Sequence, residues 1–483
     1  MLWCALHLPD LALQVFTRGD TDDTPLAVLG PRPRQRVVDA CPAALAGGVE
    51  PGMGRAAALA LAPGLRLVDR DPRLEHAALV EVASWAARFT PSISLDASAV
   101  LLEVEPSLRL FGGLTPLCEA ILDGLEALGF AGRLALAPTP LAARWLARFA
   151  PGSQVSEAPA LETAIDALPL AALADGGGLD AATLDLLSGV GASCLGDVRR
   201  LPRNGLARRQ ARQVLAQLDR ALGLVPDPRP WFVPPERYVG RLPLPAPTDQ
   251  VDSLLFGLRR LLGGLAGWLE ARQAGLEAFT LVLEHERNRH EAETRLEIVL
   301  GTLGRDMNRC QLLAREHLSR QPLVAPVEAL RLEADAPRPL APPSVDLFDG
   351  DGGRQGDPGL LLATLRARLG DDAVRCLAVH SDHRPEGAWR HHTPLQPPVR
   401  PPADRRPAPP RPLWLLAPPR PIAQPAADAL LAGPERIESG WWDGDGADVC
   451  RDYYVARRPD HSLVWVFRER RAPHGWFLHG YFA

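Results

Sequence analysis

The chain has 483 residues, 46% of them hydrophobic and 23% charged, with a formal net charge of −5. That length supports several globular domains with separate cores, and no apolar run reaches the ~18 residues of a membrane span. All 53 basic residues are arginine; the abundance of Ala, Pro, Gly and Leu beside them reads as codon bias of a GC-rich genome, not as a mechanism. The net charge does not mark a nucleic-acid binder, but DNA responds to local arginine clusters more than to the whole-chain sum, so composition leaves DNA binding open. The seven cysteines are scattered without a Cys-x-x-Cys pair, as expected of buried thiols in a reducing cytoplasm. The apolar N-terminus lacks a basic n-region and a small-residue cleavage site, so neither secretion nor membrane insertion is expected.

Residues 2–8 are predicted to form a strand, broken at Pro9-Asp10 before a short helix over 11–16. Residues 26–68 form a small subdomain in which Gly48-Val49-Glu50-Pro51-Gly52-Met53 sets a turn and a helix start. A helix over 74–88, a hairpin of strands 93–95 and 100–104, a helix over 114–128, a strand over 132–137 and a helix over 139–149 complete an α/β domain. The chemistry turns on the hairpin. A two-metal phosphoryl-transfer site needs carboxylates projecting from neighbouring strands towards two Mg²⁺ ions about 4 Å apart. Before the buried run Val100-Leu101-Leu102 stand Ser98 and Ala99 instead. His7, at the end of the first strand, could ligate a metal, but one neutral imidazole does not replace carboxylates, and a structural role is expected for it.

Residues 160–225 read as helical, with Leu187-Ser188-Gly189-Val190-Gly191 forming a Gly-x-Gly turn whose amides could face a phosphate. Arg199, Arg200, Arg203, Arg208, Arg209 and Arg212 follow it, a cluster suited to backbone contact with DNA; the bland reading is a solvated arginine-rich face. After Pro226–Pro235, the pattern strand, helix 249–272, strand 277–284, strand 294–301, helix 304–318 and strand 327–334 gives a βαββαβ unit. Its candidate phosphate contacts are Gly240, Arg241, Arg287, Arg289 and Arg295, diluted by Glu284, Glu286, Glu291 and Glu293. Beyond it, Ser344-Val345-Asp346-Leu347-Phe348 is a Pro-flanked peptide able to insert two apolar side chains into a groove. Residues 357–380 add a helix and a strand, and 384–434 read as a Pro/Arg-rich linker. His380, His383, His391 and His392 have no cysteine partners at fixed spacing, so no metal and no cofactor is expected. The final residues, around Trp441-Trp442, Tyr453-Tyr454, Trp465 and Trp476-Phe477, form aromatic strands of a small β module, either core or interaction surface, with single-strand stacking a weaker reading.

These features together resemble the Y-family translesion DNA polymerases. The family's palm hairpin carries an Asp-Glu pair that falls here on Ser98 and Ala99, with a later Asp on Glu103; its first-strand Asp falls on His7 and the adjoining aromatic pair on Leu11 and Ala12. The Tyr and Arg that contact the incoming triphosphate fall on Pro42 and Leu45. Leu110-Phe111-Gly112-Gly113 and the terminal aromatic module are similar to the ImuB subgroup, inert Y-family homologues of bacterial damage-induced mutagenesis. The resemblance implies a multidomain α/β and α+β chain: palm and fingers (1–157), thumb (158–228), little finger (229–338), a segment with a peptide resembling the sliding-clamp motif, a helix, a strand and a linker (339–433), and the C-terminal β module (434–483). It also implies a cytoplasmic, nucleoid-associated adaptor in translesion synthesis. Its partners would be DNA, the sliding clamp, an error-prone C-family polymerase (ImuC type) and a RecA-like accessory protein (ImuA type). Two rivals stay open on the sequence: a working polymerase with carboxylates re-sourced from Asp10, Asp96 and Glu103, and a DNA-binding module without protein partners.

Overall fold

The computed structural model describes residues 1–19, 24–175, 179, 181–208, 212–285, 292–340, 358–392, 410–443 and 448–482. They fall into two compact units, Met1–Arg368 and Leu369–Ala483.

The palm is built on β1 (Trp3–His7), followed by α1 (Leu11–Thr17). The fingers add β2 (Leu26–Leu29), β3 (Val37–Ala40), α2 (Pro42–Ala46), α3 (Arg55–Leu61) and β4 (Arg66–Asp69), with strand order β3-β2-β4 over a core of their own. The chain then returns through α4 (Pro72–Ala86), β5 (Ile93–Asp96), β6 (Ala99–Glu103), α5 (Leu114–Ala127), β7 (Arg133–Ala137) and α6 (Pro140–Phe149). The palm sheet runs β5-β6-β1-β7, antiparallel throughout, with β1 in the middle. Its strands read as unbroken apolar runs because both faces are covered. Cys4 and Leu6 point into a core shared with α4 and α5, while Trp3 and Ala5 point into one shared with α6.

That second core continues into the thumb, helices α7 (Ala158–Asp166), α8 (Ala171–Ala174), α9 (Ala181–Gly189), α10 (Leu195–Arg200), α11 (Arg203–Arg208) and α12 (Arg212–Ala221). Leu161, Leu187, Val198 and Leu218 pack in the same cluster as Trp145 of α6.

The little finger comprises β8 (Tyr238–Thr248), α13 (Val251–Glu270), β9 (Ala274–His285), β10 (Glu293–Gly304), α14 (Met307–Arg320) and β11 (Val327–Ala334), with strand order β10-β9-β11-β8 and a short β12 (Arg338–Pro339) on β9. α13 is apolar on two sides, since it packs on its own sheet and also on α4 of the palm. Glycines permit that second contact: a Cβ on Gly267 would lie 2.5 Å from Trp85 Cδ1 and 2.8 Å from its backbone. Beside it, the buried Arg18 donates to Glu81 on α4 (2.7 Å) and to the Arg241 carbonyl on β8 (2.7 Å), tying palm to little finger.

The first unit ends with α15 (Pro358–Leu369), which reaches its boundary. The second holds a hairpin, β13 (Cys376–Val379) with β14 (Trp389–His392), and a sheet of β15 (Trp414–Ile422), β16 (Leu430–Ser439), β17 (Val449–Arg457), β18 (Leu463–Glu469) and β19 (Gly475–Tyr481), ordered β15-β19-β18-β17-β16. This corrects two expectations. The C-terminal module begins near Trp414, not at residue 434, and 410–434 is not a linker. Pro418, Pro419 and Pro421 are tolerated in β15 because it is an edge strand, where a missing N–H leaves no neighbour unbonded. The aromatic residues divide: Tyr453 stacks on Trp465 (centroids 4.0 Å) in the core, whereas Trp414, Trp441 and Trp442 are exposed.

Candidate functional site

Strand register brings His7, Ser98 and Ala99 together. His7 on β1 lies opposite Ala99 on β6, and opposite Arg133 on β7; Ser98 immediately precedes Ala99. Ala99 is buried, and the Leu8 amide donates to the Ser98 carbonyl (2.9 Å), closing the hairpin tip against β1. His7 is 6% exposed, and burial lowers its imidazole below the usual range, so the ring is neutral. Its Nδ1 lies 3.2 Å from the Ser98 carbonyl, an acceptor only, so the proton resides on Nδ1 and donates there.

His7 and Ser98 line one wall of a cleft of about 590 Å³, also lined by Asp10, Asp39, Glu75, Arg70 and Arg148. Its carboxylates are differently occupied. Glu75 accepts both arms of Arg70 (2.6 and 2.7 Å). Burial, with the nearby Asp10 charge, pushes the Asp39 carboxyl up to about 6. Asp96, at the end of β5, accepts Arg144 and Arg229, the latter at 3.0 Å. Burial would raise its carboxyl, but Arg144, the Ala97 amide and Arg229 together hold it below the usual range. Arg144 also binds Asp175 (2.8 Å), which accepts Arg148 too, so thumb and palm are laced at the cleft's edge.

One carboxylate of the relocated reading lies far from this row. Glu103 pairs with Trp3, four residues along the strands from His7 and Ala99, which at ~3.3 Å per residue is about 13 Å away. Its Oε1 accepts the Leu2 amide there (3.3 Å). Asp96 is committed to two arginines, and it lies opposite Ala99, four residues along the sheet from Glu103. Among the described residues no three His, Cys, Asp or Glu side chains stand together as metal ligands. A methyl, a hydroxyl and a neutral imidazole bring no negative charge to the row, so these residues do not fit a magnesium pair, which demands carboxylate oxygen.

In the thumb, α9 ends at Gly189 and Gly191 takes φ +87°, the left-handed conformation that turns the chain into α10. The turn's amides face inward. Val190 and Gly191 donate to the Leu186 and Ser188 carbonyls (3.2 and 3.0 Å), and Ala192 donates to the Leu187 carbonyl (3.1 Å). Ser193 and Cys194 donate to the Asp197 carboxylate (2.9 and 3.2 Å). Those bonds, Ser193 first, hold the Asp197 carboxyl well below the usual range. The expectation that this turn aims N–H groups at a phosphate is therefore corrected: the α9 carbonyls and Asp197 take them. Arg199 pairs with Asp166 (2.7 Å) and Glu162 (3.1 Å), Arg200 with Asp197 (3.1 Å) and Arg203 with Asp219 (2.6 Å). Arg212 is exposed. The Arg208 side chain, Arg209 and the peptide Ser344–Phe348 lie outside the described residues.

Sequence reasoning missed the lacing arginines Arg144, Arg148 and Arg229, whose partners are distant in the chain. It also missed Arg331 on β11, where the alternation Leu330-Arg331-Leu332 was a usable signal that the arginine faces away from the core.

Palm sheet, fingers, helical thumb, βαββαβ little finger and appended C-terminal β module define a polymerase-like protein of the Y-family type. The model of the impB/mucB/samB (IMS) family matches residues 13–148. Protein ImuB of Caulobacter vibrioides, in two strains, is 30% identical over 471 residues, covering 90% of this chain and 100% of that protein. The chain belongs to the ImuB family. It is also similar to a solved Dbh ternary complex (18% identity, 69% of this chain, 99% of that one, TM-score 0.39) and to DinB from Sulfolobus solfataricus (17%, 69%, 98%, TM-score 0.38). No helix among the described residues is long and apolar enough to cross a membrane.

Proposed function

We propose that the chain is a non-catalytic Y-family homologue. It serves as an adaptor in damage-induced translesion synthesis, linking DNA and the sliding clamp to an error-prone C-family polymerase of ImuC type and a RecA-like accessory protein of ImuA type. One observation carries this reading: strand pairing gathers His7, Ser98 and Ala99 at the end of β1, where His7 and Ser98 face a cleft and Ala99 is buried, and none of the three bears a carboxylate. The backbone that would present metal ligands is kept, and the ligands are not. The clamp contact is assigned to Ser344, Val345, Asp346, Leu347 and Phe348. DNA contact is assigned to the thumb, through Arg208, Arg209 and Arg212, with Arg199, Arg200 and Arg203 joining if they exchange their carboxylate partners for phosphate. The protein acts in the cytoplasm, on the nucleoid.

The test is primer extension by the purified chain with Mg²⁺ and then Mn²⁺, beside fluorescence anisotropy on the same labelled primer-template. Binding without extension is expected; extension abolished by Asp10→Ala or Asp96→Ala would overturn the reading. Capture on immobilised clamp should be lost in Leu347→Ala/Phe348→Ala, and equal retention of that variant would remove the docking peptide from the proposal.

A further inference from the structure

The open face of the little-finger sheet carries a charge pattern that no single strand displays. Arg241 on β8 lies opposite Arg331 on β11, Arg331 opposite Val282 on β9, and Val282 opposite Arg295 on β10. Three arginines thus share one row across the strands, spanning about 14 Å at ~4.8 Å per strand. Like charges directly opposite repel, and the rows on either side answer with carboxylates. On one side Glu333 of β11 lies opposite Thr280; on the other Glu284 of β9 lies opposite Glu293 of β10.

Each arginine is held at least twice. Arg241 places Nε and Nη2 on Glu284 (2.9 and 2.7 Å). Arg331 reaches Glu284 (3.2 Å), Glu333 (2.6 Å) and Glu293. Arg295 reaches Glu333 (2.7 Å) and Glu293 (3.2 Å), and Arg237 adds a further bond to Glu333 (2.7 Å). The side chains of Arg241 and Arg295 stay 38% and 49% exposed while that of Glu333 is 6% exposed, so guanidinium groups cover Glu333, whereas Glu293 is itself exposed. Burial opposes the Glu333 charge, but the surrounding arginines hold its carboxyl below the usual range.

We infer that this face is a self-neutralised arginine stripe. Glu284, Glu293 and Glu333 occupy the acceptor positions that nucleic-acid phosphates would take, and so hold down the affinity of this face for DNA. The inference rests on the reading of the chain as a DNA-binding adaptor. Its physical basis is displacement: a phosphate gains a guanidinium here only by releasing a carboxylate already bonded to it. Because the stripe is internally neutralised, it neutralises few phosphates and so releases few of the counterions condensed on DNA, adding little to the salt dependence of binding. Nucleic acid is favoured over an acidic peptide because a straight row of this length meets several phosphates at their ~3.4 Å axial spacing per strand.

The test uses the full chain, a labelled primer-template and a salt titration. Glu284→Gln/Glu293→Gln is expected to bind about tenfold more tightly at moderate salt, with the slope of log K against log salt steeper by about 2, reflecting two freed phosphate contacts. Asp123→Asn/Glu126→Gln on α5 makes the same charge change on another surface and is expected to gain less than twofold. Adding Arg331→Gln to the first variant should abolish its gain. If the double variant folds poorly, Glu293→Gln alone, at a 38% exposed side chain, should still gain threefold. Unchanged affinity and slope, an equal gain by the α5 control, or a gain for poly-glutamate instead of DNA would each overturn the inference. If the wild type binds DNA and the variant is no better, the adaptor reading stands without the stripe; if no form binds DNA, both fall.

Discussion

Replacing Glu81 with alanine tests whether the palm and little finger are held by a buried charge pair. The side chains of Arg18 and Glu81 are 2% and 3% exposed and lie 2.7 Å apart. Arg18 packs its guanidinium over the Phe130 ring at 4.7 Å and donates to the Arg241 carbonyl of β8. Its Nε and Nη1, and Glu81 Oε1, have no hydrogen-bond partner, so the pair is incompletely compensated. Removing Glu81 alone strands the guanidinium in an apolar junction and costs about 3–5 kcal/mol. Removing both charges, as in Arg18→Met/Glu81→Leu, is expected to be neutral or to stabilise by about 1–4 kcal/mol, because desolvation of the pair is relieved. A chain of several domains gives no single unfolding free energy, so the assay is hydrogen exchange of amides in β8 and α13. In Glu81→Ala their protection should fall by about 10² to 4 × 10³-fold, and the double variant should restore it. Unchanged protection in Glu81→Ala, or equal losses in the single and double variants, would refute the reasoning.

Gly267→Ala attacks the same junction by volume: its Cβ would sit 2.5 Å from Trp85 Cδ1. Overpacking of this kind costs about 1–3 kcal/mol, and faster exchange in α13 with an unperturbed C-terminal module is the expected signature. Asp39 predicts a pH effect in the cleft. Its folded pKa of about 6 exceeds the unfolded ~3.9, so between these values the folded chain binds more protons and stability falls as pH rises through the window. Asp39→Asn removes that term, so the variant should lose less thermal stability than the wild type between pH 4.5 and pH 6.5; parallel melting profiles would contradict it.

The proposed retention of the palm without metal ligands has a physical basis. The register that places Ala99 against His7 is set by the buried run Val100-Leu101-Leu102, since a one-residue slip would send Val100 and Leu102 into the core that holds Leu101 and Leu101 into theirs. The identities of residues 7, 98 and 99 contribute little to that pairing, so chemistry can leave a site while its scaffold stays intact. The lacing of Arg144 to Asp96 and Asp175 then uses the cleft's edge for cohesion between palm and thumb.

Local sequence patterns determined the element order. Apolar runs gave the palm strands, a period near 3.6 gave α13, and alternation gave β11 over 327–334 as observed. The want of carboxylates at His7, Ser98 and Ala99 was legible too, because identity is a property of the sequence. Three things were decided only by tertiary contact. β15 joined the C-terminal sheet despite its prolines, since whether a strand lies at an edge depends on its neighbours. The amides of residues 190–192 went to α9 carbonyls and those of Ser193 and Cys194 to Asp197, an outcome fixed by turn geometry rather than by residue type. The arginines counted as DNA contacts, Arg199 and Arg203 in the thumb and Arg241 and Arg295 in the little finger, proved to be ion-paired with carboxylates between 16 and 43 residues away in the chain. A charge's partner is set by distance in space at a few ångströms, and spacing along the chain carries no record of it.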